Sequence, residues 1–298
     1  MMELRHLRYF CAVAEEQNLT RAAEKLFIAQ PPLTRQIKQL EESIGAQLFL
    51  RHPRGLTLTP AGYFFWDQAK QILAKTEAAI ENTRHLAEHG KATFKIGFVP
   101  SVFYGQLPSL VRQLRKKTNA DIILIDLKTG EQIEALNTGE IDVGFGRLSI
   151  PNETVEQTIL FQEPLLAALP VSHPLALCQP TMADLAKVPM ILYPENKSAT
   201  PTFADICLSL FVSRGLTVNV TQRVNDLQTA LGLVASEMGF TLVSEQVKRL
   251  SRDDVVFTPL QDKSITSPVI FSRRRGPLDP ITAMTIDILD TLVKNRVD

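Results

Sequence analysis

The sequence predicts an α/β protein with an all-α N-terminal part, and three observations predict it. Over the first sixty residues, apolar side chains recur at helical spacing, punctuated by prolines and a glycine where helices start and stop. From Pro60 to Gly90 no helix breaker interrupts the chain after Gly62. Beyond Gly90, short β-type runs alternate with helical patterns, which implies βαβ units and a largely parallel sheet. A length of 298 residues suits about two domains at ~100–200 residues each, and 45% hydrophobic residues supplies sizeable cores.

Leu4, Leu7, Phe10 and Val13 recur every three residues and define a first helix. Asn18 is placed to cap a second, short helix that closes at Leu26, and Ala22 and Ala23 let another helix approach it closely. The segment IAQPPLTRQIKQLEESIG, residues 28–45, predicts a third helix. Pro31 and Pro32 fit only its first turn, where a missing N–H costs nothing. Leu33, Ile37, Leu40 and Ile44 share one arc, Arg35 and Lys38 lie opposite, and Gly45 suits the C-terminal stop. Glu41 and Glu42 sit at the end where the helix dipole disfavours acids, so helix stability alone does not account for them. A polyanion meeting only the basic N-terminal half would.

A short helix, a tight connection and a second helix presented N-terminus first is helix-turn-helix geometry. LFLRHPRGLTLTPAG then reads as a small β-wing, with Arg51 and Arg54 near its tip and Leu56 and Leu58 alternating inward. Between Thr20 and Gly62 six bases (Arg21, Lys25, Arg35, Lys38, Arg51, Arg54) face three acids (Glu24, Glu41, Glu42), enough for a few phosphate contacts. The competing reading is a three-helix packing unit with a solvated polar face.

Thr59-Pro60 is a cap followed by proline at the first helical position. The helix it starts would span ~45 Å at 1.5 Å per residue. Phe65, Ala69, Ile72, Thr76, Ala79, Thr83 and Leu86 form a heptad seam. That seam must pack on its own domain or on a second copy, and a homodimer would match a two-fold DNA site.

The runs TFKIGFV, DIILIDL and DVGFG begin the α/β part. LLAALPV, MILYP, TVNVTQRV, GFTLVS and VVFTPL form a second series from Gln162 to about Pro268, and PVIFSRRR and a helix from Pro280 to Lys294 end the chain. These runs predict two α/β lobes with the chain crossing between them twice. The expected division is residues 1–59, a linker helix 60–90, and a domain 91–298 with lobe I at 91–161 and 269–298 and lobe II at 162–268.

Ligands of open α/β sheets bind beyond the carboxyl ends of the strands. Those ends are Val99-Pro100-Ser101, Lys128-Thr129-Gly130 and Gly146-Arg147. Hydroxyls at helix starts and one guanidinium together suit a carboxylate. From the second lobe, Thr200 is read as a cap, Pro201 as the first helical residue and Phe203 as an apolar wall. Singly, each has a plainer reading: Ser101 and Thr129 as caps, Phe203 as core, Arg147 paired with an acid. Asp226, near a helix start, would add negative charge.

Formal net charge is zero, so global charge names no partner. Cys11, Cys178 and Cys207 are scattered and odd in number, which suits a reducing compartment and leaves a free reactive thiol open. No signal peptide and no apolar run near the ~18 residues of a membrane span are evident, so a cytoplasmic protein without a membrane partner is expected. No G-x-S-x-G, H-E-x-x-H, P-loop or dinucleotide fingerprint is present; no catalytic residue, cofactor or metal is expected. His85 and His89 have metal-ligand spacing but no third ligand, and a solvated helix end is the simpler account.

The elements A-A-E-K-L, Q-P-P-L-T-R-Q-I, L-E-E-x-I-G-x-x-L-F and R-G-x-x-L-T-x-A-G carry a resemblance to the LysR-type transcriptional regulators, extending over the whole chain. The resemblance implies a winged helix-turn-helix, a dimerising linker helix, a two-lobed effector domain like the periplasmic binding proteins, and tetramers assembled from dimers. MELRHLRYF, AEKLFIAQPP, Tyr104-Gly105, VGFGRL and LYP look most like regulators of aromatic-compound degradation, which answer to muconate, benzoate or chlorinated relatives. By motif, the implied effector positions are Ser101, Thr129, Arg147, Pro201 and Phe203. This chain departs from those relatives at Pro100, in the loop from Glu195 to Thr200, and at Asp226.

The expected DNA contacts are Gln30, Pro31, Thr34, Arg35, Lys38, Arg51 and Arg54, on double-stranded operator DNA. The expected effector is a small organic acid, and RNA polymerase is a further candidate partner. The alternative from another class is a solute-binding protein or enzyme with an N-terminal oligomerisation arm.

Overall fold

Phe10 organises the start of the chain. It lies on α1 (Leu4–Glu16), with ring centroids 5.2 Å from Phe49 and 5.0 Å from Phe65. Around it pack Leu7 and Val13 of the same helix, Ala22 and Ala23 of α2 (Leu19–Lys25), and Leu33, Ile37 and Leu40 of α3 (Gln30–Ile44). The computed structural model describes residues 2–53, 55–195 and 201–297. Local signals act as the sequence suggests. The Asn18 carboxamide accepts the Thr20 and Arg21 N–H groups, and Gly45, at φ 75°, ends α3 in the left-handed region. Ile44 departs from the expected arc and is exposed.

A hairpin of β1 (Phe49–His52) and β2 (Gly55–Leu58) follows, with Leu56 and Leu58 turned inward. The Leu56 N–H donates to the Gln17 carbonyl at 2.9 Å and fastens the wing to the end of α1. Thr59 Oγ1 accepts the Gly62 N–H at 2.9 Å at the start of α4 (Pro60–His89). Gly62 is required there for space, because a Cβ would collide with the Leu48 carbonyl oxygen. The heptad seam divides between its own domain and an exposed remainder. Phe65 and Ala69 pack into this unit's own core together with Trp66 and Leu73, which lie off the seam. Thr76 and Thr83 turn their hydroxyls onto the Ile72 and Ala79 carbonyls. Ile72 is 41% exposed, and Ile80 and Leu86 are exposed as well.

By packing, the chain divides into two units: residues 1–88 with 137–140, and residues 89–136 with 141–298. The second unit opens with β3 (Thr93–Phe98), α5 (Pro100–Phe103), α6 (Leu107–Lys117), β4 (Asp121–Asp126), α7 (Thr129–Thr138) and β5 (Val143–Gly146). Strands β4, β3 and β5 run parallel, as expected of βαβ units. Then come β6 (Val155–Pro170), α8 (Met182–Leu185), β7 (Met190–Leu192), α9 (Phe203–Val212), β8 (Val220–Arg223), α10 (Leu227–Ala235), β9 (Thr241–Ser244), β10 (Val255–Pro259), β11 (Thr266–Arg274) and α11 (Pro280–Val297).

The sheet is mixed rather than largely parallel. The long strands β6 and β11 pair antiparallel, β11 pairs antiparallel with β5, and the far half of β6 pairs antiparallel with β9 and β10. β6 also begins at Val155, seven residues before the apolar series suggested. Glu156, Gln157 and Thr158 disguise its first half, which is held by the ladder to β11, Gln157 opposite Ser272. One core surrounds Phe94, Ile96, Leu110 and Phe145; others surround Phe211 with Phe240, and Ile191 with Leu231. Among the described residues, no helix is long and apolar enough to cross a membrane.

Candidate functional site: an exposed basic helix and an interlobe cavity

On α3, the core residues Leu33, Ile37 and Leu40 leave the opposite side to water. Gln30, Pro31, Arg35 and Lys38 are exposed there, and Thr34 is half-buried with its hydroxyl donating to the Gln30 carbonyl at 3.1 Å. Arg51 is exposed on β1, and Arg54 lies outside the described residues. The charges are not equivalent. Arg21 is drawn to Glu16 and Lys25 to Glu15 at 2.8 Å, while Lys38 Nζ stands 3.7 Å from Glu42 on a solvated surface where such a pair is weak. Arg35 and Arg51 have no ion-pair partner among the described residues.

The acidic end of α3 has a structural reason that the sequence reading missed. Glu41 Oε1 accepts the Leu48 and Phe49 N–H groups at 2.7 and 3.1 Å, tying the end of α3 to the first strand of the wing. Its position therefore needs no polyanion.

In the second unit, the carboxyl ends of β3, β4, β5, β7 and β8 converge on a cavity of about 320 Å³. Val99, Pro100 and Ser101 follow β3; Asp126, Lys128 and Thr129 close β4; Arg147 and Leu148 follow β5. Tyr193 and Pro194, joined by a cis peptide bond, follow β7, and Asn225 to Gln228 follow β8. Pro201, Thr202 and Phe203 complete the lining. The first turns of α5, α7, α9 and α10 all reach this cavity; Pro100 has no N–H and Asp226 takes the Thr229 N–H of α10, so α7 and α9 are the helix starts that favour an anion. All five effector positions expected from the sequence, Ser101, Thr129, Arg147, Pro201 and Phe203, line it.

Arg147 is the hub. Its Nε donates to Ser101 Oγ at 2.6 Å and its Nη2 to the Ser101 carbonyl at 3.3 Å and to Glu163 Oε2 at 2.6 Å. The other Glu163 oxygen accepts the Gln246 N–H at 2.8 Å. Both side chains of this pair are almost fully buried, at 3% and 1% exposure. The plainer reading of Arg147, pairing with an acid, is thus part of its role. Thr129 Oγ1 accepts the Arg147 N–H at 3.3 Å, so that hydroxyl joins two strand ends and does not cap α7.

Helix starts around the cavity also differ from expectation. α9 begins at Phe203 with Thr202 as its cap and Asp205 closing a capping box, so Pro201 precedes the cap; Thr200 lies outside the described residues. Asp226 caps α10 through the Thr229 N–H at 2.8 Å, and that backbone bond holds its carboxyl below the usual range. Burial, helped by the nearby Glu131 charge, pushes Asp126 up, and burial pushes the Tyr193 phenol and the Cys207 thiol well up.

Two family descriptions match this chain: the bacterial regulatory helix-turn-helix protein of the lysR family over residues 4–63, and the LysR substrate binding domain over residues 87–292. The chain belongs to the LysR family. It is 44% identical to the HTH-type transcriptional regulator CatR of Pseudomonas putida, across 97% of this chain and 98% of that protein. The crystal structure of full-length CbnR complexed with its target DNA superimposes with a TM-score of 0.66 at 29% identity, covering 97% of this chain and 99% of that one. The BenM effector binding domain with its effector benzoate gives a TM-score of 0.64 at 30% identity, covering 68% of this chain and 93% of that one.

This LysR-family chain is therefore a ligand-responsive, DNA-binding transcriptional regulator. The helix-turn-helix match runs from α1 into the start of α4, and the substrate-domain match contains every residue of the cavity. Sequence reading did not find Glu163, Tyr193, Asn225 or Gln228. The only signal for Glu163 was an acid inside an otherwise apolar run, and for Tyr193 the LYP tripeptide at a strand end.

Proposed function

We propose that Gln30, Pro31, Thr34, Arg35, Lys38, Arg51 and Arg54 form the operator contacts of this regulator. The guanidiniums of Arg35 and Arg51, without an ion-pair partner among the described residues, support that reading, as does the exposed N-terminal half of α3. The proposed division is a DNA-binding domain 1–59, a linker helix 60–90 and an effector domain 91–298. The exposed Ile72, Ile80 and Leu86 of α4 support a dimer through that helix, with two dimers forming the operator-bound tetramer. Such a protein acts in the cytoplasm, where its DNA is, and carries out no catalysis.

The effector reading rests on one observation: two helix starts, two hydroxyls and a guanidinium meet an apolar wall of Pro201 and Phe203 in a single cavity. That combination suits a small, aromatic-derived carboxylic acid, the class to which the benzoate of BenM belongs. The acid sits on Ser101 and Thr129, and Arg147 ties the lobes beside it through Glu163. For the response to follow, the acid must bind two lobe arrangements with different affinity.

A gel shift with the DNA upstream of this protein's own operon tests the regulator. A thermal-shift screen of benzoate, cis,cis-muconate and chlorinated relatives tests the effector class. A ligand at 100 times its Kd stabilises the fold by ~2.7 kcal/mol. Thr129→Ala should lose the shift and keep operator binding; equal shifts in Thr129→Ala and Ser101→Ala would move the pocket elsewhere.

A further inference from the structure

The short helix α5 carries Ser101, and one turn of the second lobe grips it at both ends. That turn is a stretch of 3₁₀ helix, Glu245–Leu250, which follows β9 directly. Val247 anchors it, fully buried in the core around Ile191 and Leu231. On one side of this anchor the Gln246 N–H donates to Glu163, and the bonds continue through Arg147 to the Ser101 hydroxyl and carbonyl. On the other side Arg249 Nη1 donates to the Tyr104 carbonyl at 3.3 Å and to the Gly105 carbonyl at 3.4 Å.

The second grip bears on the cavity because of what Tyr104 does. It caps the C-terminal end of α5, it lines the cavity, and its ring packs on the same second-lobe core that holds Val247. α5 itself is only four residues long. The Val102 and Gly105 N–H groups bond to the Val99 and Val102 carbonyls at 2.9 and 3.0 Å, and a helix that short gains little from its own bonds. Its position is therefore set by the ties at its two ends. Arg249 is exposed and is not among the residues that line the cavity, so it bears on a ligand only through α5.

We infer that Arg249 is a positioning residue for the effector: by fixing the end of α5 from the second lobe, it holds Ser101 and the Tyr104 wall in the arrangement that binds the acid. This rests on the effector reading above. With Arg249 in place, α5 is ordered before the ligand arrives, and the acid does not have to order it. The grip at two points also means that a ligand displacing Ser101 moves Glu245–Leu250 with it, instead of bending α5 alone.

The test compares the full-length protein with Arg249→Ala and Arg249→Lys. Calorimetry with benzoate and with cis,cis-muconate gives the affinities. Hydrogen exchange at the Val102 and Gly105 amides and thermal unfolding, both without ligand, report on α5 and on the whole fold. The worth of one hydrogen bond predicts a Kd raised roughly 3- to 10-fold in Arg249→Ala for whichever acid binds the parent. Exchange at the two amides should quicken, while the melting temperature stays near the parent's because Arg249 is exposed. Arg249→Lys keeps a cationic donor and should restore most of both effects. Equal acid affinity in Arg249→Ala and the parent, or unchanged exchange in α5, overturns the role of Arg249 and leaves the carboxylate site standing. Weaker binding with a markedly lower melting temperature in both variants overturns it too, since Arg249 would then serve the fold at large. If neither acid binds the parent, the effector reading fails and this inference with it.

Discussion

The basic face of α3 and the interlobe cavity are built on opposite plans. On α3, Arg35 has no ion-pair partner among the described residues and Lys38 only a distant, solvated one. In the cavity, Ser101 and Thr129 both accept from Arg147, which continues through Glu163 to the Gln246 N–H. A side chain on the helix is free to serve DNA because folding asks nothing of it. A side chain in the cavity serves the fold first and the ligand second. Substitutions on the two sites should therefore separate cleanly into binding effects and stability effects.

The largest expected effect tests that separation directly. Arg147→Ala leaves the Glu163 carboxylate, 1% exposed, without its cation. Breaking a buried pair from one side costs ~3–5 kcal/mol, against within ~0.5 kcal/mol for Arg35→Ala on the surface. Denaturant midpoints of the two variants decide it, and a native-like midpoint for Arg147→Ala would erase the contrast.

Next in size is the linker helix, which shares features of both plans. Its first half packs on the N-terminal core through Phe65, Ala69 and Leu73, while Ile72 is exposed and awaits the proposed partner copy. Ile72→Asp should leave the N-terminal unit folded yet give monomers by light scattering, with operator affinity down about tenfold or more, because a charge in an apolar interface is costly. A parent-sized oligomer would refute the seam.

Smaller effects distinguish side chains within the DNA face. Arg35→Ala should lose ~1–3 kcal/mol of operator preference if it reads a base edge. If Lys38 holds only phosphate, Lys38→Ala should weaken all DNA alike and lower the salt slope by about one unit. Unchanged gel shifts in both would leave the helix as a packing element with a solvated face.

The same contrast explains what was legible in the sequence. The helix-turn-helix is made of local rules, so Asn18, Pro31, Pro32 and Gly45 announced its helix ends, and the spacing of Leu33, Ile37 and Leu40 announced its buried face. Glu41 was misread because its partners, the N–H groups of Leu48 and Phe49, lie beyond the turn that ends the helix. The cavity's strand-end hydroxyls were legible because topology places strand ends together. Glu163 and Tyr193 were not, since one is defined by an arginine sixteen residues away and the other by a hydroxyl with no hydrogen-bond partner among the described residues. The first half of β6 was hidden because Glu156 and Gln157 break the apolar alternation, and its pairing with β11 bridges more than a hundred residues.

The smallest expected effect concerns Asp226, an acid that both caps a helix and lines the cavity. Asp226 holds the Thr229 N–H and hydroxyl at the start of α10, and it lines the cavity. Asparagine caps a helix about as well as aspartate, so Asp226→Asn keeps the cap while removing the charge. A carboxylate ligand no longer faces a second anion, and its affinity should rise by roughly two- to fivefold at low salt, fading as salt screens the pair. The pH dependence gives an independent check. The folded-state pKa of Asp226 is depressed, so its charge contributes stability above the unfolded aspartate value, and that contribution is lost as pH falls through the folded value. The stability gap between parent and Asp226→Asn should therefore be widest near neutrality and close in acid. Benzoate titrations at two salt concentrations and melting curves from neutral to acidic pH measure both. Weaker benzoate binding in Asp226→Asn would mean that the carboxylate donates its charge to some other part of recognition, and the anionic reading of this end of the cavity would have to be reversed.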